Sequence, residues 1–126
     1  MVILVLKMKA TIVLISTLAL TACMSNPKID DLTSTQRAKA ANMPVHENNP
    51  YPNAKVMKTV TGLSCNRNAN QRQDVSREEA LEGVKIQAAL LGADAVVNNI
   101  CQKNSDTDWG NNCWASVKCI GDAVKL

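Results

Sequence analysis

Hydrophobic and polar positions along this chain change rhythm several times, and each change predicts an element. Residues 10–22, ATIVLISTLALTA, are continuously apolar or small. Residues 24–53 are mostly polar and hold all four prolines, Pro27, Pro44, Pro50 and Pro52. From residue 54 the stretch AKVMKTVTGLSC is rich in Val and Thr and reads as a strand, with Gly62 near its end. NRNANQRQD then breaks the pattern as a polar loop. Apolar residues return at helical spacing, Ala80, Val84, Ala88 and Leu91, flanked by Leu81 and Ile86. Ser76 opens that helix as the first residue of an S-x-x-E capping box ending at Glu79, and Gly92 is placed to stop it. ADAVVNNIC is a second strand, QKNSDTDWGNN a loop, and CWASVKCI a third strand. Within 24–53 only TSTQRAKAA is suited to a helix, short and marginal alone, with Thr33 or Ser34 as its cap.

The first apolar run has the length of a secretory signal core and is too short to cross a ~30 Å bilayer core comfortably as a helix. Lys7 and Lys9 precede it. The segment starting at Met8 reads as a complete signal, which predicts translation from Met8 and a leader ending at residue 22. Leu20-Thr21-Ala22-Cys23 resembles the bacterial lipobox, in which the cysteine thiol takes a diacylglyceryl group and becomes the mature N-terminus. Cys23 is therefore the expected lipidation residue, carrying S-diacylglycerol and N-acyl lipid, and several acyl chains anchor stably where one does not. Residue 24 is Met rather than Asp, which in a Gram-negative host favours the outer membrane. Residues 23–53 read as a lipidated N-terminus and flexible tether. Pro-rich polar chain stays extended or disordered. His46, the single histidine, falls in this tether and is expected to be solvated.

Composition tightens the picture. The chain has 14 Lys+Arg against 11 Asp+Glu. Two of the lysines belong to the leader, so the remainder is nearly neutral, which argues against nucleic acid as a partner. With no Phe, one Tyr and two Trp, the core must be built from Val, Ile, Leu and Ala. A small domain of this kind needs a covalent staple. Cys65, Cys101, Cys113 and Cys119 form an even set that reads as two disulfides. A four-cysteine zinc site needs close ligand pairs such as C-x2-C, and a redox centre needs C-x-x-C; neither spacing occurs. An extended third strand would place Cys113 and Cys119 on one face, roughly 20 Å apart at ~3.3 Å per residue, too far to bond each other. Two pairings remain: Cys101–Cys113 with Cys65–Cys119, which hairpin proximity favours, or Cys65–Cys113 with Cys101–Cys119.

No Ser-His-Asp set is legible. Glu78, Glu79, Glu82 and Asp94 read as a helix cap and a solvated face rather than catalytic carboxylates. Trp109 and Trp114 could line a small-ligand pocket, but packing beside a disulfide is the expected role.

The stretch GADAVV after a helix, the closing CIGDAVKL, the spacing of the four cysteines and the lipobox with its tether together resemble the RcsF family. These are outer-membrane lipoproteins that sense envelope stress for the Rcs phosphorelay. The resemblance covers about residues 54–126. It implies an α+β fold: a small disulfide-stapled domain, a mainly antiparallel sheet packed with one main helix (about 76–91), after a disordered tether. It implies the interleaved pairing, Cys65–Cys113 and Cys101–Cys119, in place of the hairpin one. It implies no catalytic activity, no cofactor beyond the lipid on Cys23, and no metal. Its implied partners are an inner-membrane regulator like IgaA, the assembly protein BamA and outer-membrane barrel proteins. The tether here is short for threading a barrel, at most ~100 Å fully extended. The alternative is a structural or assembly-factor outer-membrane lipoprotein with the same fold and no Rcs role.

Overall fold

The computed structural model describes residues 29–68, 70 and 74–126. The expected leader, its start at Met8, and the lipidation residue Cys23 lie outside the described residues. After a 3-10 turn at Ile29–Asp31, the elements are α1 (Ser34–Ala41), β1 (Lys55–Asn66), α2 (Arg77–Leu90), β2 (Ala95–Asn104) and β3 (Ala115–Lys125). The three strands form one sheet in the order β1-β3-β2, antiparallel throughout. The protein is an α+β domain stapled by two disulfides.

Helix α2 lies across one face of the sheet on its alanine and valine stripe. Ala80, Val84, Ala88 and Ala89 are buried against Val60, Val96, Val117, Cys119 and Ala123. The approach is close because Gly62 faces the helix: a Cβ built there would stand 1.8 Å from the Ala80 carbonyl oxygen. Gly83 meets it from the helix side, its own ideal Cβ 3.0 Å from Gly62 Cα. The helix starts as its sequence predicts, with the Ser76 hydroxyl accepting from the Glu79 amide at 3.2 Å. The second half of the expected capping box is rerouted. The Ser76 amide donates to Ser64 Oγ on β1 (2.9 Å), and Ser64 Oγ donates to Glu79 Oε2 (2.9 Å). The helix ends in a Schellman arrangement, Gly92 N to Ala89 O and Ala93 N to Ala88 O, with Gly92 at φ 74.

The other face of the sheet is thinly covered. Ala95, Val97 and Val124 form a small cluster there with Tyr51 and Ala54. A bulge in β2 between Val97 and Ile100, with Asn98 at φ 52, resets the alternation so that Cys101 still faces α2 and Ile100 faces away.

Residues 29–53 differ from the expected tether. α1 is real and carries a full capping box, with Gln36 N donating to Thr33 Oγ1 (3.2 Å) and Thr33 N to Gln36 Oε1 (3.0 Å). It packs on α2, with Leu32, Ala40 and Met43 buried in the main core. Residues 44–48 then run beside β2 as a parallel edge, bridged at Val45–Val96. The next turn carries Tyr51 and Ala54 onto the opposite face before β1 begins. The packed body thus starts near residue 30, and the boundary expected at 54 falls inside it. The physical reason is that a few spaced apolar side chains suffice when a ready sheet edge satisfies the backbone, whatever the proline content around them.

Candidate functional site

The two disulfides occupy opposite faces of the sheet. Cys101 and Cys119 are direct cross-strand partners, Cα to Cα 4.0 Å, in the row that also holds Gly62 beneath α2. Cys65 sits on the other face, in register with Ser116, and is bonded to Cys113 at a Cα separation of 5.5 Å. The hairpin pairing Cys101–Cys113 is not formed. β3 also begins two residues later than CWASVKCI predicts, at Ala115, and runs on to Lys125. Cys113 belongs to the preceding loop, so the expectation that Cys113 and Cys119 share a strand face does not hold.

That loop is built around Asp108. Its backbone pairs with Cys113 in both directions, Asp108 N to Cys113 O (2.7 Å) and Cys113 N to Asp108 O (2.9 Å). Its carboxylate accepts from Asn111 N (3.2 Å), Asn111 Nδ2 (2.9 Å) and the buried Ser116 hydroxyl (2.8 Å). Asn112 closes the turn at φ 57. The Asn111 side-chain bond, with those from Ser116 and the Asn111 amide, holds the Asp108 carboxyl below the ordinary carboxylate range. Asp108 and the Cys65–Cys113 bond therefore fix the loop at two points.

What the loop presents is tryptophan. Trp109 is 85% exposed and Trp114 is 50% exposed. Neither takes the packing role expected of it. Below the loop on the same face run the rows Leu63–Lys118–Gln102 and Thr61–Ile120–Ile100, with Ile100 67% and Ile120 41% exposed. Exposed aromatic and aliphatic side chains on rigid backbone are the usual makings of a protein-binding surface.

The other candidate groups are structural. The Glu79 carboxylate accepts from Ser64 Oγ, and its backbone amide donates to the capping Ser76 hydroxyl. Asp94 accepts from the Leu126 amide (2.9 Å) and Lys125 Nζ (3.3 Å), and the first of these bonds lowers its pKa most. His46 is half-buried rather than solvated, its Nε2 3.1 Å from the Tyr51 hydroxyl. Among the described residues no group of three His, Cys, Asp or Glu could hold a metal ion, and no helix is long and apolar enough to cross a membrane. Asp108, Gly110 and Asn111 are legible in the sequence as turn residues of this loop, but the bond from Ser116 to Asp108 is not, and Ser64 was missed. No protein-family model matches the chain, and no curated protein matches it.

Proposed function

We propose that this protein is a non-enzymatic, lipid-anchored sensor of the RcsF kind. In this reading acyl chains on Cys23 hold it in the outer membrane, where BamA and barrel proteins are its neighbours. Under envelope stress the stapled domain contacts an IgaA-like inner-membrane regulator and activates the Rcs phosphorelay. The observation that carries the reading is the disulfide connectivity, Cys65–Cys113 with Cys101–Cys119, the pair set that the resemblance implies. The rigid, tryptophan-bearing loop clamped by the first of these bonds supplies a surface suited to protein contact.

The test is complementation. A Gram-negative host lacking its own RcsF would express this protein or its Cys23→Ala variant, with an Rcs-dependent capsule reporter as readout. The wild type should restore stress induction, and the unacylated variant should change the response. If both proteins are exported and folded and neither moves the reporter, the signalling reading is wrong.

A second reading has an observation in its favour. With the chain folded onto the body from the Ile29–Asp31 turn onward, only 24–28 lie between Cys23 and it, at most ~18 Å at full extension. An acylated Cys23 would then keep the body close to its membrane, as suits a structural or assembly-factor lipoprotein with no Rcs role. Crosslinking in cells where the reporter stays silent would then yield partners of the outer membrane alone.

A further inference from the structure

We infer that residues 29–48 form a releasable strap whose undocking sets how far the domain stands from its anchor. The inference rests on the acylation of Cys23 proposed above. The strap is attached differently from everything after it. Both disulfides join residues between 65 and 119, and neither touches it. Its hold on the β2 edge consists of backbone bonds: His46 N to Val96 O (2.9 Å), Val96 N to Pro44 O (2.9 Å), Asn99 N to His46 O (2.9 Å) and Asn98 N to Asn48 O (3.3 Å). Two of those bonds, from the Asn98 and Asn99 amides, fall on the bulged part of β2, where the buried Asn99 Oδ1 has no hydrogen-bond partner among the described residues. An ion pair across the seam, Arg77–Glu47 (3.1 Å), is largely exposed and so adds little.

The apolar hold is small as well. Among the described side chains of the strap, Leu32 and Met43 are the large ones that are buried, with Ala40 and the partly buried Val45 beside them. Two clefts run along the seam. One of about 330 Å³ lies between α1 and Asp94, and one of about 260 Å³ lies between Ala40, Ala41 and the Glu78–Ile86 side of α2. α1 has eight residues, below the length at which a helix persists without its packing surface, so a strap that lifts off also unwinds. Asn49 and Pro50 follow the last edge bond and make the natural hinge, while Tyr51 and Ala54 stay with the sheet.

Release would convert the link from residues 24–28 into residues 24–48. The reach at full extension grows from ~18 Å to roughly 85 Å, and the mean span of the flexible link to roughly 28 Å. The domain itself keeps its disulfides and α2 throughout. One chain thereby has a membrane-proximal state and a far-reaching state, which would reconcile the two readings given above.

Native-state hydrogen exchange on the full acylated protein in detergent tests the strap without depending on its anchor. The amides of His46, Val96, Asn98 and Asn99 should exchange at least ~100-fold faster than the central β3 amides, through an opening that leaves β3 closed. Met43→Asp should speed the first set by a further ~10-fold or more and leave β3 unchanged. Glu47→Arg, a surface change that cannot unfold the core, should shift the same amides in the same direction by a smaller factor. Equal rates for the strap and β3 amides, or a uniform change in both variants, would overturn the inference. Neutron reflectometry of the acylated protein on a supported bilayer then reads reach. Met43→Asp should thicken the protein layer by tens of Å relative to wild type, and an unchanged layer despite lost strap protection would sink the reach claim. If wild type fails to anchor at all, the acylation reading has failed, and the exchange result still decides the strap.

Discussion

Under α2 the sheet is packed through its smallest residues: Gly62 against Gly83, with Ala80, Val84 and Ala88 filling the space around Cys119. On the opposite face the described residues cover the two ends. Tyr51 and Ala54 cover Val97 and Val124 at one end, and the Asp108 loop covers Ser116 at the other, while Ile100 and Ile120 between them meet solvent. Each face has its own disulfide. One sits within a packed core, where many contacts already define the geometry. The other fixes a loop that has few apolar contacts of its own. The lesson is that both bonds stabilise the fold, and the one on the open face also defines a surface loop.

Removing each bond separately is the strongest way to probe that contrast. Chain-entropy reasoning makes the open-face bond the larger loss, about 4 kcal/mol for the 48-residue separation of Cys65–Cys113 against about 3 kcal/mol for the 18-residue separation of Cys101–Cys119. Cys65→Ala with Cys113→Ala should also free the Trp109 loop, seen as increased tryptophan quenching. Cys101→Ala with Cys119→Ala should lower the denaturation midpoint and leave that quenching unchanged. Equal quenching in both double variants would erase the distinction between the faces.

Close packing beneath α2 predicts the next effect. Gly62→Ala drives a methyl into the Ala80 carbonyl and should cost about 3 kcal/mol, the upper end for overpacking. A midpoint within experimental error of wild type would mean that α2 can lift off β1 freely.

Ser64→Ala comes third. It strips the Ser76 amide of its acceptor and Glu79 of a donor at a fully buried position, at roughly 1–3 kcal/mol. Exchange of the Ser76 amide should rise with the loss of stability, and retention of its protection would disprove the relay.

The smallest effect concerns pH at Asp108. Its folded-state pKa is lowered, so its contribution to loop order is present above the ordinary carboxylate pKa of about 3.9. It is lost as pH falls through the lower, folded-state value. The Asn111 amide resonance should therefore stay fixed down to about pH 4 and shift only in stronger acid. Asp108→Asn should abolish that transition. A loop already disordered at neutral pH in the wild type would break the account.

Much of the α2 face was legible in the sequence, because a capping serine, a 3.6-residue apolar period and a stop glycine are local signals. The β strands were legible as elements, though β3 was placed too early because the turn at Asn112 breaks the alternation before Ala115. Ser64 as a cap partner could not be read, since the contact joins positions 64 and 76 across a loop. The strap was the largest miss. Thr33-x-x-Gln36 and the apolar set Leu32, Ala40, Met43 and Val45 were present, but four prolines and many asparagines drew the reading toward a free tether. Pairing with the β2 edge is a tertiary decision that local composition does not record. At the site itself the exposed tryptophans were visible as residues, and their role was misassigned because burial depends on how the Asp108 loop closes.

The strand order carries a consequence for the chain's history. β3 is the middle strand and the last of the three in sequence, so β1 and β2 lack their shared sheet partner until it arrives, and β2 has only the 44–48 edge beside it. Of the four bonded cysteines, Cys65 and Cys101 come first along the chain, and these two are not partners. Oxidation in order of appearance makes the wrong bond. Maturation then calls for thiol–disulfide exchange to undo it, and the yield of active molecules in a cell becomes a question of isomerase supply as much as of the sequence.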